Sequence, residues 1–94
     1  MKKIQLEDRH LKIVKEILSE LAVQVSVFGS RAKGTAKRFS DLDLVVMGEI
    51  DRTTLRKLTE QFEESDLPFK VDIVVWDKID SNFQDHIRND LISI

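Results

Sequence analysis

The sequence predicts an α/β fold, in which a small mixed β-sheet is flanked by helices in the order α-β-α-β-α-β-α. Three segments repeat apolar residues at helical spacing, and three short apolar runs have the composition of strands. Only 13 residues separate the first two strands. The length of 94 residues is that of one domain, so we expect residues 1–94 to form a single unit.

The first half of the chain predicts one long helix and two strands. Residues 7–21 place their apolar side chains on one helical face. Residues 23–28 alternate between apolar and polar and predict a strand, and residues 42–47 predict a second, largely buried strand. The polar, basic residues 30–37 suit a turn or a short helix. A parallel crossover usually needs a dozen or more residues, and the 13 residues here contain little that could form a long packed helix, so we expect the two strands to be antiparallel neighbours.

The second half of the chain predicts a helix, a strand and a last helix. Residues 51–65 form the helix, with Asp51 in the N-cap position. Residues 70–76 predict a third strand, whose apolar composition indicates burial. Ser81 and Gln84 have the spacing of a capping box at the start of the last helix. The final four residues fit either the end of that helix or a short edge strand.

Composition excludes several classes of protein. The net charge of −2 is not that of a duplex-binding module, so we expect no direct DNA binding. There is no cysteine, which excludes disulfides and thiolate metal sites. Neither a signal peptide nor an apolar run of roughly 18 residues is present, so we expect a cytoplasmic protein. His10 and His86 are isolated on predicted helices, and we interpret both as surface residues.

Asp41 and Asp43 form an Asp-x-Asp pair at the start of the second strand. Side chains at i and i+2 of a strand point to the same face, so these carboxylates would repel each other without a cation between them. Magnesium commonly binds one or two carboxylates together with substrate phosphates. The alternative is that both acids are solvated residues at the edge of a strand.

Asp72 lies within the third apolar strand, where a carboxylate is costly unless it is paired, hydrogen-bonded or bound to metal. If the second and third strands are neighbours, Asp72 can join Asp41 and Asp43. Three carboxylates could then hold two metal ions ~3.5–4 Å apart, as in many phosphoryl-transfer sites. The alternative is that Asp72 lies on a half-exposed face or caps a turn.

Gly29 and Ser30 end the first strand and supply the features of an anion site. Glycine lets a phosphate approach the backbone, and a serine at the start of a helical turn offers a hydroxyl and a free N–H. Arg31 and Lys33 follow and are placed to counter triphosphate charge. Lys37 and Arg38 also fit this role, or simply solvate a loop. A Gly-Ser pair by itself is only a turn signal.

Together these residues predict a site for a nucleoside triphosphate and Mg²⁺. The cations would stabilise charge at the α-phosphate as pyrophosphate leaves. A hydroxyl would attack, and Asp72 is the best candidate to accept its proton. Trp76, at the end of the third strand, is interpreted as a packing residue.

Three motifs at consistent spacing resemble the polymerase-beta-like nucleotidyltransferase superfamily. They are Gly29-Ser30, an Asp-x-Asp pair separated from it by ten residues, and Asp72 in the third strand. The resemblance covers nearly the whole chain and is strongest to the minimal nucleotidyltransferases of antitoxin type, which are encoded beside a HEPN-domain toxin. It implies that Asp41, Asp43 and Asp72 bind metal, and that Gly29 and Ser30 hold the triphosphate of ATP. Lys33 stands where many relatives have arginine.

The resemblance also implies a partner and an acceptor. Antitoxins of this kind transfer AMP to a tyrosine of the HEPN toxin, in pairs of type VII character. Only residues 77–94 follow the third strand, so we expect the acceptor-binding surface to come from another chain in a hetero-oligomer. Two other hypotheses remain: a two-chain transferase that adenylylates a small molecule, and an antitoxin that acts by binding alone.

Overall fold

The computed structural model describes residues 3–94, and its mixed α/β fold confirms the predicted fold class. In this part of the chain the helices and strands are, in order, α1 (Asp8–Leu18), β1 (Val25–Phe28), α2 (Ser30–Lys33), β2 (Leu42–Val46), α3 (Arg52–Glu63), β3 (Val71–Val75), α4 (Ser81–Ile87) and β4 (Ile92–Ser93). Short 3₁₀ turns at Trp76–Lys78 and Arg88–Asp90 flank α4.

The four strands form one sheet in the order β3-β2-β1-β4. Strands β1 and β2 are antiparallel neighbours, as the short connection predicts, and β2 and β3 run parallel. The C-terminal residues form a short edge strand rather than the end of the last helix, since β4 pairs with β1. Strands β2 and β1 therefore lie in the middle of the sheet, and β3 and β4 lie at its two edges.

Helices α1 and α3 cover one face of the sheet and form the main core. Val14 of α1 and Phe62 of α3 pack there against alternate residues of the strands. Leu42, Leu44 and Val46 of β2 are completely buried on this face. Because side chains alternate along a strand, Asp43 and Val45 must point to the opposite face.

Helix α4 covers only part of that opposite face. Its Ile87 packs with Phe28 and Val45, and Val74 and Trp76 border the same cluster. Asp43 lies two residues before Val45, and Asp72 lies two residues before Val74, so both acids precede the apolar cluster on their strands. The face that carries the acids is therefore apolar beneath α4 and polar where β2 and β3 begin.

Two expectations about local structure are wrong. The third strand is not deep in the sheet: β3 is an edge strand, and only Val75 among its five residues is buried. The last helix is not capped by Ser81, since Asp80 accepts a hydrogen bond from the Phe83 N–H at 2.8 Å. The amide of Gln84 instead donates to the Trp76 carbonyl at 2.8 Å.

His10 also differs from its interpretation as a surface residue. It is 8% exposed, and its ring meets the edge of the Phe69 ring with centroids 5.6 Å apart. His86 is exposed, as expected. The N-cap role of Asp51 is confirmed, because its carboxylate accepts from the Thr54 N–H at 2.7 Å. No helix within residues 3–94 combines the length and the apolar character needed to cross a membrane.

Candidate functional site

Asp43 and Asp72 lie side by side on neighbouring strands. They are Cα partners in the parallel register of β2 and β3. Paired residues of adjacent strands point to the same face, so the two carboxylates share the face that α4 only partly covers. The side chain of Asp72 is 42% exposed and Asp43 is half-buried. The second and third strands are thus neighbours, which was the condition for Asp72 to lie beside Asp43. Asp72 itself lies on the edge strand of the sheet.

Asp41 completes a group of three acids at the entrance to β2. It is exposed and lies two residues before Asp43. The pKa of Asp43 is raised, first by burial, next by the charge of Asp72, and then by the charge of Asp41. Asp72 and Asp41 are therefore each close enough to Asp43 to repel its charge, and an added cation would relieve this repulsion.

Gly29 brings the turn after β1 directly against Asp43. Phe28, the residue before it, is the antiparallel partner of Asp43. The backbone of Gly29 has φ 74° and ψ −155°, a conformation that a side chain disfavours. A Cβ placed on Gly29 would overlap the Oδ2 atom of Asp43. The turn and the acids meet here at a distance that only glycine permits.

Ser30 follows Gly29 as the first residue of α2, as the short-helix alternative for this segment predicts. Helix α2 ends at Gly34, which has φ 79° in the left-handed region. Its backbone is tied to the turn, because the N–H groups of Ala32 and Lys33 donate to the Gly29 carbonyl at 3.1 and 3.0 Å. Ser30 is therefore held beside the acids by a short, hydrogen-bonded turn.

Arg31 does not have the geometry expected of a phosphate ligand. Its side chain lies within the fold and the residue is only 5% exposed. The guanidinium donates to the backbone carbonyls of Gln5, Arg38 and Ser40. Burial lowers the pKa of Arg31, and the charge of Asp41 opposes that effect. The predicted phosphate contact is replaced by contacts to the protein's own backbone.

The other basic residues of this segment remain near the surface. Lys33 is 45% exposed at its side chain, and its Nζ lies 3.7 Å from Oδ2 of Asp90. Arg38 is exposed, with its guanidinium 5.1 Å from the centre of the Phe39 ring. Only an exposed, loosely paired ammonium can exchange its partner for a phosphate at low cost. Lys33 is such an ammonium, whereas the buried guanidinium of Arg31 is held by backbone carbonyls.

A cation of the protein also contacts the acid group. The Nζ of Lys70 lies 3.4 Å from Oδ1 of Asp72, and the Lys70 side chain is 72% exposed. An ion pair between exposed groups contributes roughly 0–1 kcal/mol, so it is easily broken. Asp72 can leave this pair for another cation.

The chemistry of the acid group fits Mg²⁺. Carboxylate oxygens are the ligands that this hard ion prefers, and the absence of a side chain on Gly29 lets the Asp43 carboxylate lie directly against the turn. Within residues 3–94, no three Asp, Glu, His or Cys side chains already converge as a metal site. Asp41 and Asp72 thus lie near Asp43, but the three side chains do not yet form a metal site. Magnesium usually keeps ligands from water or substrate phosphates, which suits an incomplete set of protein ligands.

Sequence reasoning missed the residues that support this site from behind. Gln5, Ser40 and Phe69 surround the Arg31 guanidinium. Each lies in a loop or a terminal segment with no periodic pattern, so the sequence offers no signal for the group. His10 did carry a signal: it is one helical turn before Val14, which continues the apolar face of α1.

Comparisons with known proteins show which family this chain resembles. A model of the nucleotidyltransferase domain family matches residues 7–94. A Haemophilus influenzae protein named "Probable protein adenylyltransferase MntA" is 42% identical over 89 residues, which is 90% of this chain and 78% of that protein.

A similar fold is found in a solved structure. The crystal structure of a candidate nucleotidyltransferase from Sulfolobus solfataricus superposes with a TM-score of 0.53 and 23% sequence identity. The match covers 90% of this chain and 78% of that one. At this identity the likeness supports the fold alone.

Proposed function

This chain belongs to the minimal nucleotidyltransferase family, a family of enzymes, and on that premise we propose that it transfers AMP from ATP to a hydroxyl group. The observation that carries the proposal is the contact between Gly29 and Asp43, beside Asp72. A turn able to hold phosphate there meets carboxylates able to hold the counter-cation. Few other reactions need both at one place.

In the proposed site Asp41, Asp43 and Asp72 hold Mg²⁺, and Gly29 and Ser30 hold the triphosphate. The metal, when bound, supplies positive charge that stabilises the α-phosphate and the leaving pyrophosphate. Burial and the charges of Asp72 and Asp41 raise the pKa of Asp43, and a bound cation would offset this effect and keep Asp43 ionised. Lys33 is the exposed cation of the same turn and serves the outer phosphates.

The proposed reaction is a displacement at phosphorus. The acceptor hydroxyl oxygen attacks the α-phosphorus of ATP, and the bond from that phosphorus to the pyrophosphate oxygen breaks. The hydroxyl proton passes to Asp72, whose half-exposed carboxylate can face an acceptor from outside. Pyrophosphate leaves, and the acceptor carries AMP.

We propose a protein acceptor, namely a tyrosine of a HEPN-domain toxin that this chain inhibits as the antitoxin of the pair. The name of the Haemophilus influenzae relative, a protein adenylyltransferase, supports a protein acceptor. The open face around Asp72 also supports it, because a tyrosine on another chain needs access to the α-phosphate. The two chains would form a hetero-oligomer.

The test is to incubate this protein with ATP, Mg²⁺ and the HEPN protein encoded beside it, and to measure intact masses. We expect whole adenylate units on the HEPN protein, mapped to tyrosine and lost when that tyrosine is changed to phenylalanine. Asp43→Asn should remove the transfer. The matched control is Asp66→Asn, which changes an exposed aspartate after α3.

Three outcomes would contradict parts of the proposal. An unmodified HEPN protein together with adenylylation of a small molecule would support the two-chain transferase. Full neutralisation of the toxin by Asp43→Asn, without transfer, would support an antitoxin that acts by binding. Transfer that survives Asp43→Asn would place the chemistry elsewhere.

A further inference from the structure

The guanidinium of Arg31 joins three separate segments of the chain. Its Nη1 donates to the Gln5 carbonyl at 2.9 Å, and its Nη2 donates to the Ser40 and Arg38 carbonyls at 2.8 and 3.3 Å. Its Nε donates to the Ser40 carbonyl as well, at 3.1 Å. The Phe69 ring lies below the group, 4.2 Å from its central carbon.

These contacts connect every part of the site. Arg31 directly follows Ser30, the proposed phosphate residue. Ser40 is the residue before Asp41, and two guanidinium nitrogens hold its carbonyl. Phe69 precedes β3, which carries Asp72 three residues later. One buried side chain therefore links the turn after β1 to the entrances of both acid-bearing strands.

The loop before Asp41 depends strongly on this link. The amide of Gln5 donates to the Ala36 carbonyl and its oxygen accepts from the Ala36 N–H, both at 2.9 Å. Gln5 is itself held by Arg31, since its backbone N–H donates to the Arg31 carbonyl at 2.8 Å. Residues 36–40 form no regular secondary structure, so these side chains supply much of the loop's support.

We propose that Arg31 is a positioning residue that fixes the backbone at Asp41 and thereby the acid group, and that it does not bind phosphate. The inference rests on the proposed function for the role of Asp41, but its structural part can be tested without any reaction. Four donated hydrogen bonds and an aromatic partner occupy the guanidinium. A buried guanidinium so engaged cannot turn toward a phosphate without leaving several carbonyls unpaired.

The first test compares Arg31→Lys and Arg31→Met with the wild type by amide hydrogen exchange in metal-free, nucleotide-free protein. We expect exchange at the Ala36, Lys37 and Ser40 amides, the hydrogen-bonded amides of this loop, to become at least about tenfold faster in both variants. That is the change expected when the loop loses a hydrogen bond to a charged group. Lysine keeps the charge but loses the fork, so it should not rescue the loop. Arg56→Met, at an exposed position on α3, is the control.

The second test measures AMP transfer with Arg31→Lys. A displaced Asp41 should lower kcat roughly 10- to 100-fold and raise the Mg²⁺ concentration for half-maximal rate. The KM for ATP at saturating Mg²⁺ should stay within about twofold, because no phosphate contact is lost. If the Arg31 variants do not fold, Gln5→Ala tests the same support, with the same expected change in exchange and in Mg²⁺ dependence.

Two results would overturn the inference. One is unchanged exchange at the Ala36, Lys37 and Ser40 amides in the folded variants. The other is a raised KM for ATP with an unchanged kcat, the behaviour of a phosphate ligand that lysine partly replaces. A wild-type protein that transfers no AMP would overturn the proposed function instead, while the exchange measurement would still decide the structural role of Arg31.

Discussion

Replacement of Gly29 by alanine tests the contact on which the site is built. Gly29 has φ 74° and ψ −155°, and its Cα faces the carboxylate of Asp43. An alanine would meet two separate penalties there. Its backbone would occupy a region that is almost restricted to glycine, and its Cβ would overlap Oδ2 of Asp43.

The magnitude follows from adding the two penalties. The backbone conformation costs a non-glycine residue about 1–3 kcal/mol. The overlapped atom is the end of the Asp43 side chain, which can turn aside, and moving that side chain off its preferred rotamer costs about 0.5–1.5 kcal/mol more. The free energy of unfolding of a domain this size is roughly 5–15 kcal/mol, so Gly29→Ala should remove a large part of it. The melting temperature should fall by roughly 10 °C or more.

Gly34→Ala is the matched control for this prediction. Gly34 also has a positive φ, 79°, but nothing lies within 4 Å of an added Cβ. Its cost should be the backbone penalty alone, about 1–2 kcal/mol. The assay is urea unfolding of both variants and the wild type, without metal, with the midpoint and the slope compared.

A double-mutant cycle then isolates the overlap with Asp43. In an Asp43→Ala background the carboxylate is absent, so Gly29→Ala should cost only its backbone penalty. The coupling between the two substitutions should thus be about 0.5–1.5 kcal/mol. If Gly29→Ala costs no more than Gly34→Ala, and the two changes are additive, the close approach of Gly29 to Asp43 is wrong.

Three further predictions concern charge. Asp43→Asn should raise the melting temperature of the metal-free protein at pH 7, because burial and the neighbouring carboxylates raise the pKa of Asp43. This increase in melting temperature should shrink as the pH falls through that raised pKa toward the ordinary value of 3.8. Asp51→Ala should lower the melting temperature at pH 7, because the hydrogen bond from the Thr54 N–H lowers the pKa of Asp51. That loss should disappear as the pH falls from 3.8 through the lowered pKa. Lys70→Met should leave the free energy of unfolding within about 1 kcal/mol of wild type in urea titrations, because its pair with Asp72 is exposed.

The sheet could be predicted because its signals are local. The Asp-x-Asp spacing predicts a common face for Asp41 and Asp43, but β2 begins at Leu42, so Asp41 lies just before the strand and that spacing does not set its direction. The short connection between the first two strands requires an antiparallel pair, which the structure confirms. The place of Asp72 beside Asp43 needed one further assumption, that β2 and β3 are neighbours, and it too is confirmed.

The contacts of Arg31 could not be predicted because they join distant segments of the chain. Gln5 and Phe69 are 26 and 38 positions away in sequence, and neither lies in a motif. A cation after Gly-Ser therefore resembles a phosphate ligand until its partners are known. The place of β3 at the edge of the sheet could not be predicted either. Its five residues are apolar apart from Asp72, and this composition does not distinguish an edge strand from a central one.

The start of α4 also could not be predicted, because it too depends on a contact that the sequence does not reveal. Asp80 and Ser81 are both good N-cap residues, and the sequence favours Ser81 only through its spacing to Gln84. The structure selects Asp80, since the Gln84 amide instead bonds the carbonyl of Trp76. Tertiary contact decides between neighbouring caps.

The central claim is that Asp41, Asp43 and Asp72 hold a divalent cation together with a triphosphate beside Gly29. The most direct measurement is a titration of Mn²⁺, read by electron paramagnetic resonance, with and without α,β-methylene-ATP. We predict that the wild type binds Mn²⁺ more tightly when the analogue is present. Asp43→Asn should weaken that binding by about tenfold or more, the loss of a charged ligand. Equal Mn²⁺ affinity in the wild type and in Asp43→Asn, with the analogue bound to both, would contradict the claim.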